Sequence, residues 1–286
     1  MRLIAFSRPD GKPALGARIG QEVVDLTALG LPATLDELLS SGEAGLRAAR
    51  DAISRATSRL ALDSITYLPP VANPSKAIAV GLNYVDHAAE SPYKEPPKFP
   101  VLFQRFPSSW VAHKAPIVVP KVSAQLDYEA ELLIVIGKPG RYIEKSKALE
   151  HVAGYSLFND GSVRDYQMRT PQWMIGKNFD RSGAFGPEFV TADELPPGAS
   201  GLQIQTRLNG KQMQNANTRD MIFDVATLVQ MCSEAFAFRA GDIIISGTPA
   251  GVGFARKPPV FMKPGDTVEV EVEGIGVLSN PIVSEG

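Results

Sequence analysis

The acids of one short stretch are the first candidates for chemistry. Leu126-Asp127-Tyr128-Glu129-Ala130-Glu131 leads into Leu132-Leu133-Ile134-Val135-Ile136, an apolar run of the kind that makes a strand buried on both faces. Alternate residues of a strand share a face, so Glu129 and Glu131 project the same way. Two carboxylates entering a core side by side repel and are costly to desolvate, and a divalent cation resolves both problems. A strand end still open to water is the other account, and the Glu-x-Glu spacing alone leaves the two level. Residues 153–159 read as a second strand that ends on Asp160, and this third acid favours the metal. An all-oxygen set without Cys or His suits Mg²⁺ or Mn²⁺, with Ca²⁺ also compatible, rather than zinc.

Only His87, His113 and His151 are present. His151 sits in a polar stretch that reads as a surface helix, and His113 precedes an Ala-Pro turn with no evident task. His87 has Glu90 three residues on, the same face if the segment is helical. A carboxylate there fixes the imidazole tautomer and stabilises its protonated form, as a general base requires. On spacing alone a surface His–Glu pair is the better account of the two residues, ahead of catalysis.

The elements that must position these groups are short, because 25 Gly and 23 Pro punctuate the 286 residues. Strands are expected at 2–7, 15–20 and 22–27, then helices at 34–41 and 43–57, the first opening on Thr34-Leu35-Asp36-Glu37 with capping-box spacing. The prolines of Leu68-Pro69-Pro70-Val71-Ala72-Asn73-Pro74 suggest a linker, dividing a small N-terminal α+β domain (1–68) from the rest (69–286). Further strands are expected near 77–81, 101–104, 117–119, 127–136, 153–159, 202–208, 242–246 and 267–273, with one long helix at 221–237. Strands outnumber helices without regular βα alternation, so the class is α+β, mostly β, and not a Rossmann sheet or TIM barrel. Ser91 to Pro100, with four prolines among Lys and Glu, reads as a stiff exposed loop.

Composition removes several functions. Lys plus Arg number 29 and Asp plus Glu 31, which gives no support to a nucleic-acid binder. No apolar run approaches the roughly 18 residues of a membrane helix. Cys232 is alone, and residues 1–6 reach Ser7-Arg8-Pro9-Asp10 too soon for a signal peptide, so a reducing cytoplasm is expected.

Five segments, in order, resemble the fumarylacetoacetate hydrolase family: Asn83–Glu90, Asp127–Leu132, Asn159–Gln167, Gln172–Asp180 and Ser246–Gly253. The resemblance runs from about 75 to 282. It implies a mixed β-sandwich roll, usually in a homodimer, around a divalent metal. By position, Glu129, Glu131 and Asp160 match the metal ligands. His87 and Glu90 match the dyad that activates water, on a segment that orders as a lid over substrate. Lys177 matches a lysine that stabilises developing negative charge. Arg164 and Gln167 match polar pocket positions, and Thr248 matches a hydroxyl that binds a carboxylate. The animal enzymes carry a further acidic ligand where this chain has Ala79, Val80 and Gly81, so three carboxylates are expected. Arg105 stands where many members have lysine; it keeps a cation with a planar fork and is expected at a second carboxylate site.

The leading expectation is therefore a Mg²⁺- or Mn²⁺-dependent hydrolase that cleaves the C–C bond of a small 2,4-dioxo acid of the acylpyruvate type. The rival is related enolate chemistry: decarboxylation of an oxaloacetate-like acid, or hydration or isomerisation of an unsaturated 2-oxo acid. A non-catalytic relative of the fold is the third possibility, disfavoured by the complete residue set.

Overall fold

The computed structural model describes residues 1–90 and 97–286; the expected loop at Ser91–Pro100 lies largely outside them. Its backbone is one mixed sheet that serves two cores. Ala130–Ile136 pairs with Val152–Asn159 on one side and Ile243–Ile245 on the other, and every residue of it is buried. Leu132, Ile134 and Ile136 face one core, while Leu133 and Val135 face another. A strand with a core on each face needs apolar residues at both parities, hence the uninterrupted run.

The sheet continues through Ala77–Gly81 to Val101–Gln104 at one edge. In the other direction Gly183–Thr191 joins Val152–Asn159 to Arg2–Ser7, and so to the N-terminal strands Pro13–Ile19 and Glu22–Asp25. The first 68 residues thus share a sheet with the remainder. Their helices Leu35–Ser40 and Gly42–Arg55 add Leu35, Leu38 and Ala49 to the core that holds Leu133 and Val135. Buried Glu188 ties the units by accepting from Arg2 (2.6 Å) and Arg18 (3.1 Å). His113 adds to the seam: its Nδ1 accepts the Ser279 N–H, its ring meets Tyr67 edge-on, and burial beside Lys114 pushes it down to about 4.

The opposite core is closed by a five-stranded sheet ordered Lys211–Asn217, Gln203–Leu208, Thr267–Val272, Gly276–Ser284 and Ile117–Val119. The Val225–Ala235 helix packs on the same core, capped where Asp224 accepts the Thr227 N–H at 2.7 Å. This is the expected mostly-β α+β sandwich roll.

Three long strands, among other shorter ones, go beyond the sequence reading. Gly183–Thr191 is wholly buried yet carries Gly183, Gly186 and Pro187, which read as turn residues. Gly276–Ser284 contains Pro281, and Lys211–Asn217 is polar. The 221–237 helix is shorter than its periodicity suggested, because Ile222 and Phe223 pair with Asn83 instead. At Thr34 half of the capping box forms: the hydroxyl accepts the Glu37 N–H at 3.4 Å.

Leu133→Ala removes a fully buried side chain between two elements of rigid sheet. It should cost about 2–5 kcal/mol in denaturant unfolding with an unchanged slope.

Candidate metal centre and active site

Glu129, Glu131 and Asp160 converge. Each offers an oxygen within 4.8 Å of the others, and all three are buried. The convergence follows from register, since Ala130 pairs with Asn159 and Glu131 with Phe158, which sets Asp160 beside Glu129. The Asp160 N–H donates to the Glu129 carbonyl at 2.9 Å, and Asn159 Oδ1 accepts the Glu129 N–H at 3.0 Å.

Cations surround the acids. Lys177 Nζ bridges Glu129 Oε2 (2.6 Å) and Asp160 Oδ2 (2.7 Å). Arg164 bonds Glu129 Oε1 at 2.7 Å, Asp127 Oδ2 at 2.8 Å and Gln167 Oε1 at 2.8 Å. Glu131 accepts the Gly247 N–H. Burial alone would raise the Glu129 carboxyl, but Lys177, Arg164 and His87 outweigh it and hold it down at about 2. Glu131 has the opposite balance: burial, reinforced by Asp160 and Glu129, pushes its carboxyl well above the usual range.

The expectation for Arg105 needs correction. Its guanidinium lies beneath the acids, bonded to Asp160 Oδ1, the Gly161 carbonyl and Ser109, and it is absent from the cleft wall. It holds Asp160 in place and does not face the cleft. The geometric reason is the close approach at Gly183, where a Cβ would come within 2.8 Å of the guanidinium.

Glu129 and Glu131 open onto a cleft lined by His87, Glu90, Arg164, Gln167, Lys177 and Thr248 among others. Phe103, Trp173, Met168, Val252 and Phe254 form an apolar wall, with Lys177 over the Phe103 ring at 5.2 Å. The His87–Glu90 helix, Val85–Glu90, follows a turn fixed by buried Asn83, whose side chain bonds Phe223 N, Phe223 O and Ser246 O. The dyad is looser than the spacing suggested. His87 Nδ1 is 3.9 Å from Glu90 Oε2 and has no hydrogen-bond partner among the described residues. Glu90 instead accepts the Gly251 N–H at 2.9 Å. Burial opposes ionisation of Glu90, yet His87, the Gly251 N–H and Arg256 hold its carboxyl below the ordinary range.

Asp127, Asn83 and Gln214 were not among the expected site residues. Asp127 had a signal, being one strand repeat before Glu129. It accepts the N–H groups of Gly253 (2.8 Å) and Phe254 (2.9 Å) and so fixes the glycine-rich loop. A Cβ on Gly253 would sit 1.8 Å from the Val260 carbonyl, so that position must be glycine.

The donor set fits a hard divalent cation. Four buried carboxylates (Asp127, Glu129, Glu131, Asp160) face only three buried cations (Arg105, Arg164, Lys177), and the uncompensated repulsion falls on Glu131. A divalent ion among hard oxygen donors turns the cluster's net charge from negative to positive, suited to an anionic ligand.

Fold and site together define a β-rich scaffold with a buried cluster of three carboxylates at the base of a cleft. Residues 76–283 match the family model described as fumarylacetoacetate (FAA) hydrolase C-terminal, and the chain belongs to that family. Human oxaloacetate tautomerase FAHD2A, mitochondrial, is 41% identical over 290 residues, covering 99% of this chain and 92% of that protein. The fumarylacetoacetate hydrolase of Exiguobacterium antarcticum superposes with a TM-score of 0.88 at 38% identity, covering 100% of each chain. A maleylpyruvate hydrolase from Sphingobium sp. SYK-6, solved with manganese(II) and pyruvate, gives 0.83 at 30% identity, again with 100% of each chain covered.

Because the Glu131 carboxyl is raised, the stability it contributes in the metal-free protein is full below the ordinary carboxylate range. That contribution is lost as pH rises through the folded-state value. The metal-free melting temperature should therefore fall with rising pH in that window, and Glu131→Gln should flatten the trend. Mn²⁺ uptake should release a proton, read by calorimetry in buffers of different ionisation enthalpy.

Proposed function

We propose that the protein catalyses metal-assisted proton transfer at C3 of a small 2-oxo acid, with oxaloacetate keto–enol tautomerisation as the first reaction. The supporting observation is one cleft that gathers a carboxylate metal centre, a lone imidazole and a buried ammonium. The named activity of the 41%-identical human relative, which aligns along 99% of this chain, points the same way. Glu129, Glu131 and Asp160 would hold the cation, which when bound supplies a Lewis acid for the 1-carboxylate and 2-oxo oxygens.

The chain's own groups do the rest. Lys177 spends two N–H donors on Glu129 and Asp160, leaving a third for charge developing on the substrate oxygen. The His87 imidazole lines the cleft and takes or returns the C3 proton. The apolar wall of Phe103, Trp173 and Phe254 excludes bulk water, which lengthens the life of an enolate and strengthens each contact to it. Tautomerisation needs no attacking water, so the open 3.9 Å His87–Glu90 separation does not impede it.

A second reading is C–C hydrolysis of an acylpyruvate, favoured by the same His87 and by the two hydrolase structures that match over their full length. It differs in that His87 deprotonates water for attack on the distal carbonyl, after which the C3–C4 bond breaks to release a carboxylic acid and a pyruvate enolate that takes up a proton at C3. Homodimerisation is carried forward on the exposed groove of Phe106, Met174, Ile175 and Phe179, an apolar surface that pairing would cover. No helix among the described residues is long and apolar enough to cross a membrane. Since the human relative is named mitochondrial, the expected cytoplasm is kept only as a reducing compartment, consistent with the lone buried Cys232.

Enol oxaloacetate mixed with protein should lose its ultraviolet absorbance faster with Mn²⁺ than with EDTA, without release of CO₂ or pyruvate. His87→Asn should lower kcat by about 10²- to 10⁴-fold. Metal-dependent release of pyruvate and a second acid from acylpyruvates, with no acceleration on oxaloacetate, would give the second reading instead.

A further inference from the structure

Gln214 lies outside every motif considered above, and its side chain is 1% exposed. It sits on Lys211–Asn217, opposite Thr206 in the neighbouring strand. The register between these strands shifts just after this pair, so Met213 and Gln214 are both buried although they are consecutive. A bulge of this kind re-aims a side chain, and here it turns Gln214 into the core beneath the cleft.

All of its amide's partners are protein groups. Oε1 accepts the Ala130 N–H at 2.9 Å and the Thr206 hydroxyl at 2.7 Å. Nε2 donates to Thr248 Oγ1 at 2.8 Å and to the Pro249 carbonyl at 2.8 Å. The orientation is fixed by chemistry, because an N–H can only donate and a carbonyl can only accept. Ala130 lies between the metal ligands Glu129 and Glu131, and Thr248 lines the cleft. One side chain therefore ties the backbone of the metal site to the hydroxyl across the cleft. The loop fits closely over the bulge: Gly251, at φ +99°, would bring a Cβ within 2.5 Å of the Met213 carbonyl.

We infer that Gln214 is a positioning residue that makes Thr248 a hydrogen-bond donor toward a substrate carboxylate. With Thr248 Oγ1 already accepting from the amide, the hydroxyl proton is directed away from Gln214 and into the cleft. The polarity of that subsite is thus biased from below: one Oγ1 lone pair is spent on Gln214, and the proton is left for an acceptor such as a carboxylate. This inference rests on the reading of the cleft as a 2-oxo-acid site.

The test measures oxalate binding to the Mn²⁺-loaded protein by calorimetry, independent of turnover. Oxalate carries the paired oxygens of a 2-oxo acid in a planar dianion. Gln214→Glu keeps the accepting end toward Ala130 and Thr206 but presents an acceptor to Thr248, so the hydroxyl turns inward. Oxalate affinity should fall about tenfold or more, as it should in Thr248→Val, while Thr248→Ser retains it. The double variant should bind no worse than Thr248→Val alone, and Mn²⁺ affinity should not weaken. An additive loss would mean that the new charge repels oxalate directly, and would overturn the inference. Gln214→Met repeats the cycle without added charge, so wild-type oxalate affinity in it is equally fatal. Normal oxalate binding by Thr248→Val overturns the inference whether or not the Gln214 variants fold. Failure of the wild-type protein to bind oxalate instead overturns the 2-oxo-acid reading, and this inference falls with it.

Discussion

Charge crowding in a water-poor interior is the constraint on which the rest of this structure depends. Asp127, Glu129, Glu131 and Asp160 are each no more than 3% exposed, and burying one unpaired carboxylate already costs several kcal/mol. Arg105, Arg164 and Lys177 answer most of that cost, each in contact with at least one of the four. Compensation stops one charge short, and the shortfall falls on Glu131. A divalent cation is the simplest completion, and it makes the site attractive to an anion in the same step.

The surrounding architecture serves to keep these groups from separating. Sheet register sets Asp160 beside Glu129. Three buried or half-buried acceptors then anchor the loop that closes the cleft: Asp127 on Gly253 and Phe254, Glu90 on Gly251, and Glu131 on Gly247. Backbone N–H groups of the loop are thereby spent on protein carboxylates. What the loop offers a ligand is instead the Thr248 hydroxyl, held from beneath by Gln214. The glycines serve close packing against Asp127, the Met213 bulge and the Asn83 turn.

Relatives of this fold carry names for different reactions, a tautomerase in one case and hydrolases in others. Stabilisation of an enolate is chemistry that could serve all of these reactions, and it is the chemistry the proposed roles of the acids, ammonium and imidazole would supply here. In the proposed reactions, which bond breaks would depend on whether His87 meets a C–H or a water. Glu90 is latched to Gly251 and stands 3.9 Å from His87 Nδ1, beyond hydrogen-bond reach.

By itself the sequence determined the strand that carries the metal ligands. An apolar run at both parities must be buried on both faces, and period-two geometry then forces Glu129 and Glu131 onto one of them. It likewise marked Asp160, His87, Glu90, Lys177, Arg164, Gln167 and Thr248, because their types and order resemble a family pattern. Tertiary structure alone decided the rest. Arg105 reads as a pocket cation, yet close approach at Gly183 turns it under Asp160. Gly183–Thr191 belongs to no element expected from the sequence, yet it is the strand that joins the N-terminal unit to the sheet carrying the acids. Gln214 gives no signal at all, since a bulge breaks the alternation that would have told its direction. Periodicity reports which face a residue takes while the backbone stays regular; register, bulges and the pairing of distant charges are settled only when the sheets close.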